Sequence, residues 1–132
     1  MGKKYELLKD QTVFFDGVTL YRIRALRDIP WRCVNAGDLG GYVESERNLS
    51  QGGNAWVYGD AKVSGDARVF GDAQVHDKAV ISNNAQVYDD AQVYERASVC
   101  GHTQVYGGAQ VCGDTWVSGD ISICGNGAIG LT

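Results

Sequence analysis

From Ala55 to Thr132 the chain divides into 13 consecutive six-residue units with no insertion between them. The first three read AWVYGD, AKVSGD and ARVFGD. Position 1 is small in nearly every unit (Ala55, Ala61, Ala67 and so on to Thr115), and position 3 is Val or Ile throughout, from Val57 to Ile129. Positions 5 and 6 are mostly Gly, Asp or Asn. Positions 1 to 4 alternate inward and outward, as a strand requires. Gly, Asp and Asn then turn a corner, because they tolerate unusual backbone angles and bond locally. A helix is excluded, since apolar spacings of two and then four leave no stripe at period 3.6. A period held this long predicts a solenoid of short parallel strands.

Composition agrees. Glycine supplies 18 of 132 residues, about twice its usual share, and Pro30 is the lone proline. Collagen would need Gly at every third position and abundant Pro, and 10% aromatic residues oppose disorder. No apolar run approaches the ~18 residues of a membrane span, and no apolar stretch follows Lys3 and Lys4. The expected location is therefore cytoplasmic, with no membrane partner. The net charge is −4 and the pI near 5.0, which disfavours direct nucleic-acid binding.

Ahead of the repeats, residues 4–26 predict a hairpin. Thr12–Phe15 and Val18–Ile23 flank Asp16-Gly17, a strong two-residue turn signal. An open solenoid end is a sheet edge that invites pairing. The hairpin, Trp31 and the loop around Pro30 are expected to cap that end. The chain thus divides into a hairpin and cap (1–36) and a repeat array (37–132, regular from 55), forming one structural unit. Residues 37–54 are expected to be a degenerate first coil with Val43 and Leu49 at position 1.

The small-x-Val-x-Gly-Asp unit resembles the hexapeptide-repeat, left-handed parallel β-helix family. The resemblance implies an all-β triangular prism of about four to five coils, with three hexads per coil. The opening Leu20–Asp28, Ala36–Ser45 and Asn48–Ser50 is similar to that of uncharacterised β-helical proteins common in bacteriophages and prophages. That resemblance implies a viral or prophage origin but supplies no activity.

Residues three hexads apart stack in such a prism. Side one then carries Tyr58, His76, Tyr94 and Cys112, beside Trp56 and three glutamines. Side two carries serines, Cys100 and Trp116, and is smooth enough to pack against another copy. Side three carries Phe70, Tyr88, Tyr106 and Cys124. Stacked Tyr and Gln stabilise neighbouring strands, and aromatic residues also favour protein interfaces. Asp72, Asp89 and Asp90 should share a corner and face either solvent, a cation or a basic partner. Asp77, Lys78, Glu95 and Arg96 should form a self-compensating network on another corner.

Cys100, Cys112 and Cys124 all occupy position 4, two hexads apart, and so fall on different sides. They are expected as outward free thiols that cannot pair within one chain. The best-known hexapeptide-repeat proteins are acyltransferases that use a His base beside a loop interrupting the coils. Here no loop interrupts the array, and the two histidines are His76, outward on side one, and His102 at a corner. Two histidines fall short of the three ligands a β-helical carbonic anhydrase needs. No catalytic residue, metal site or cofactor is expected, and His76 or His102 serves only as base in the runner-up reading.

The first expectation is a non-enzymatic protein-binding scaffold. Its specific form is an inhibitor of a bacterial defence system, engaging a host protein through Trp56, Tyr58, Phe70, His76, Tyr88, Tyr94, Tyr106, Trp116, Asp72, Asp89 and Asp90. Residues 55–132 hold four basic and nine acidic groups, so the array carries −5 and mimics a nucleic acid weakly. The alternatives are an acetyl-CoA-type acyltransferase and a small-molecule sponge at an intersubunit cleft. The final hexads lack a polar cap. Ile121, Ile123, Ile129 and Leu131 are therefore expected to self-associate, as a trimer or an end-to-end dimer.

Overall fold

Every hexad makes a two-residue strand at positions 2 and 3, from Trp56–Val57 to Ala128–Ile129. The computed structural model describes residues 2–125 and 127–129. Strands three hexads apart pair in parallel, Gln92 with Gln74 and Gln110, and Val93 with Val75 and Val111. N–H groups at positions 2, 4 and 6 donate to carbonyls at positions 1, 3 and 5 one coil on. Trp56 reaches Ala73 O at 3.1 Å, Tyr58 reaches Val75 O at 2.8 Å and Asp60 reaches Asp77 O at 3.1 Å. The corner closes between one hexad and the next, as from Ala61 N–H to Tyr58 O at 3.1 Å. The result is a parallel β-solenoid of three sheets with seven, five and four strands.

The core is the inward column of Ala at position 1 and Val or Ile at position 3. From Ala55 to Val99 these residues are fully buried. Each buried Val contributes about 1.5–3 kcal/mol relative to an exposed one. Position 5 takes positive φ at every regular corner, whether Gly59, Asp77, Asn83, Asp89 or Glu95 occupies it. Gly101 shows where only hydrogen fits well: a Cβ there would stand 2.6 Å from Gly119 N on the next coil.

Strand β1 (Tyr5–Phe15) and strand β2 (Val18–Ala25) form the expected hairpin around Asp16-Gly17, with a bulge between Leu8 and Thr12. Strand β3 (Leu39–Val43) joins it to the array, antiparallel to β2 and parallel to Lys62–Val63. The hairpin thus extends the side-two sheet to seven strands. Gly40 and Gly41 permit this wedge. A Cβ on Gly40 would lie 2.6 Å from Val57 O, and one on Gly41 would lie 2.6 Å from Ala61 O.

Residues 37–54 do form a first coil, but its frame differs from the expected one. Val43 pairs with Val63 and Leu49 bridges to Val69, so this coil is longer by two than the three hexads of the later ones. Both therefore act at position 3, not position 1. The three-hexad spacing is regained by Asn54, whose N–H reaches Gly71 O, so the two extra residues lie in the Gln51–Gly53 turn. Asn48 holds the irregular corner. Its Oδ1 accepts from Glu44 and Ser45 N–H, and its Nδ2 donates to Gly65 O and Ala67 O.

The cap fills the coil end with Lys4, Tyr5, Ile23 and Ile29, all buried. Trp31 does not join them and is 78% exposed. Tyr5 Oη donates to Leu49 O at 2.5 Å, and Lys4 Nζ donates to Ala55 O at 2.6 Å and Gly52 O at 3.3 Å. At the other end Ile123 is nearly buried, while Ile121 and Ile129 are 43% and 39% exposed. Leu131 lies outside the described residues. Among the described residues, no helix is long and apolar enough to cross a membrane.

Burial, with repulsion from Arg27 and Arg32 opposed by Asp72, pulls the Lys4 ammonium down to about 8 from its usual 10.5. Above pH 8 the unfolded chain therefore binds more protons than the folded one, and stability rises with pH. Burial pushes the Tyr5 phenol the other way, upward from 10.0, so above pH 10 the unfolded chain sheds a proton that the fold retains. Stability measured by urea unfolding is expected to rise between pH 8 and 10, by at most about 1.4 kcal/mol per pH unit, and then to fall. Lys4→Met is expected to flatten the rise.

Candidate functional site

The outward position-4 side chains form the two ladders that residue spacing predicts. On side three Phe70, Tyr88 and Tyr106 stack nearly parallel, with ring centroids 4.8 and 5.2 Å apart. Tyr88 Oη donates to Gln104 Oε1 at 3.0 Å, fixing the ring edge against the next coil. A hydrogen bond with the Cys124 thiol raises the Tyr106 phenol above its usual value.

Side one begins the same way and then breaks. His76 and Tyr94 stack at 5.0 Å and 7°, but Tyr58 meets His76 at 5.8 Å and 79°. The Tyr58 hydroxyl turns toward the cap, 3.2 Å from Arg32 O and 3.4 Å from Gln74 Oε1. Burial pushes this phenol up to about 12, against the opposing pull of Arg32. A groove of about 790 Å³ lies at the break, lined by Arg32, Tyr58, His76, Asp77, Lys78 and Arg96 among others. The cap turn Pro30–Arg32 forms its rim because its residues run in a 3₁₀ turn closed by Cys33 at positive φ.

The expected network on this corner does not form. Asp77 Oδ2 accepts from Glu95 N–H at 3.0 Å, and Glu95 Oε1 accepts from Gly113 N–H at 2.8 Å. The carboxylates thus serve the backbone of the coil below rather than Lys78 and Arg96. Backbone N–H groups are obligatory donors and win over a flexible, solvated ammonium.

The acidic corner is real but not bare. Asp72 N–H donates to Asp89 O at 2.9 Å, and Asp89 Oδ2 accepts from Gly107 N–H at 3.1 Å. Arg32 donates to Asp72 O, and Arg32, Trp31, Asp72 and Asp90 line a second hollow of about 220 Å³. Among the described residues, no three His, Cys, Asp or Glu side chains converge to hold a metal ion.

Three expected surface residues are buried, Ser64 of side two among them. Trp56, assigned to side one's outer face, is 1% exposed because Tyr5 of β1 packs on it edge-on at 6.3 Å. Cys112, expected outward, is buried with Sγ 3.6 Å from Ile129 O. Its thiol, hydrogen-bonded with the Tyr94 hydroxyl, raises that phenol above its usual value. Trp116 is outward as expected, 76% exposed, with Nε1 3.0 Å from Cys100 Sγ. His76 reaches the groove, whereas His102 stands alone on an exposed corner. The sequence reading missed Arg32, whose only early signal was its place two residues after Pro30.

A family model described as the YdcK Beta solenoid repeat matches residues 61–77, about one coil of the array. The match agrees with the parallel coils above, which show the architecture. This is a β-solenoid repeat protein. No curated protein matches the chain.

The two tryptophans at hexad position 2 give a direct check of the cap. Trp56→Ala is expected to cost about 3–5 kcal/mol, as for other buried Trp truncations. Trp116→Ala should stay within about 0.5 kcal/mol. Denaturant midpoints of the two variants make the comparison.

Proposed function

We propose that this chain is a non-enzymatic protein-binding scaffold of the kind phages and prophages encode, and that its partner is a host protein of a bacterial defence system. The single observation behind this reading is the side-three ladder. Phe70, Tyr88 and Tyr106 are half-buried, mutually stacked and pinned to a rigid coil. Presenting aromatic edges already held in place reduces the ordering cost of association. Asp72, Asp89 and Asp90 occupy the corner that follows this side, so the apolar strip has an acidic border. A partner surface with an apolar centre and a basic rim complements it. The phage assignment rests on the resemblance of the opening segment.

Position 4 tolerates Ser elsewhere in the array, at Ser64 and Ser82. Tyr88→Ser with Tyr106→Ser therefore removes the ladder within the hexad's own chemistry. Affinity capture from bacterial lysate is expected to retain one stoichiometric protein on the wild type, and the double variant should retain at least tenfold less. No stoichiometric partner, or equal retention by both, would retire the reading.

One observation favours a second reading, acyl transfer from acetyl-CoA. His76 lines the groove, and Asp77 Oδ1 lies 3.8 Å from its Nδ1. That separation is longer than a hydrogen bond. Release of free CoA thiol from acetyl-CoA, abolished by His76→Gln, is the result this reading requires. On the scaffold reading, thiol release stays at the background rate.

A further inference from the structure

The side-one groove has an electrostatic asymmetry that its formal charges hide. Each of its acids already has a protein partner. Asp60 lies 3.5 Å from Arg22, Asp77 accepts from Glu95 N–H, and Glu95 accepts from Gly113 N–H. Its cations do not. Among the described residues, Lys78, Arg96 and Arg32 have no carboxylate within ion-pair distance, and Lys78 and Arg96 make no side-chain hydrogen bond. Arg32 also keeps a shielded Nε with no acceptor.

Lys78 and Arg96 are consecutive members of one corner column. Their backbones sit on successive coils, Lys78 N–H on Glu95 O and Arg96 N–H on Gly113 O, and parallel strands stack at ~4.8 Å. Two cations so placed suit the oxygens of one phosphate or of two linked phosphates. The aromatic wall is next to them. Because Tyr58 is turned 79° from His76, the parallel stack stops there. The opening beside it has room for a planar ring, and its volume of about 790 Å³ suits a small organic molecule.

We propose that this groove binds a nucleotide-class ligand, with phosphate on Lys78 and Arg96, Arg32 at the rim, and the planar base against Tyr58 and His76. The site lies within one chain and apart from the side-three ladder, so it stands independently of the protein-binding reading.

Calorimetry on the full chain at neutral pH tests it with ADP, adenosine and pyrophosphate as probes. ADP is expected to bind saturably, with adenosine and pyrophosphate each at least tenfold weaker. Lys78→Gln with Arg96→Gln should weaken ADP at least tenfold without moving the melting temperature, since both side chains are exposed. Tyr88→Ser with Tyr106→Ser should leave ADP binding unchanged. No saturable binding at millimolar ADP, full affinity in the Lys78/Arg96 variant, or pyrophosphate binding as tightly as ADP would each overturn the proposal.

Discussion

The structure depends on a single backbone relation. The N–H of each even hexad position meets a carbonyl of the next coil, as with Tyr58 and Val75. Parallel pairing of this kind leaves little choice for the interior. Each coil must offer nearly the same inward shape as its neighbours, because a much larger side chain would prise apart the bonds above and below, whereas the small polar Thr103 fits by donating to Gly119 O. Ala at position 1 and Val or Ile at position 3 satisfy that demand in coil after coil. The outward positions 2 and 4 and the corners are freed from it. All variation with chemical content is there: ladders on two sides, serines on the third, charges at the edges.

That division explains how much was legible. A period of six with a fixed inward pattern specifies strands, corners and the column in which each outward residue stands. The side-three ladder and the shared corner of Asp72 and Asp89 followed directly. What failed depended on chain segments outside the period. Trp56 has the outward position of Gln74 and Gln92, yet Tyr5, far away in sequence, closes over it. The first coil slipped out of frame because the Gln51–Gly53 turn is longer than a regular corner, and no hexad count registers a longer turn. The wedge role of Gly40-Gly41 became visible only with Val57 O and Ala61 O beside them. Lys78 and Arg96 looked neutralised by Asp77 and Glu95 because residue types do not reveal which donor a carboxylate prefers.

The two ladders show how one local change alters chemistry on an otherwise regular surface. Side three keeps its rings parallel and presents a closed strip of edges. On side one the cap turn reaches down, the Tyr58 hydroxyl follows Arg32 O, and the ring leaves the stack. The same cap that buries Trp56 thus opens the groove below it. Capping an exposed sheet edge and shaping a recess are, in this molecule, consequences of the same segment.

The coil also determines how the molecule can change length. Gaining or losing three hexads adds or removes a complete turn and leaves every remaining column in line. Gaining or losing a single hexad keeps the backbone bonds equally well but rotates everything beyond it by a third of a turn. Tyr88 and Tyr106 would then move away from Phe70 and onto a neighbouring side. Surface pattern therefore sets a stricter rule than stability does: the prism tolerates growth by single hexads, whereas its faces survive only growth by whole coils.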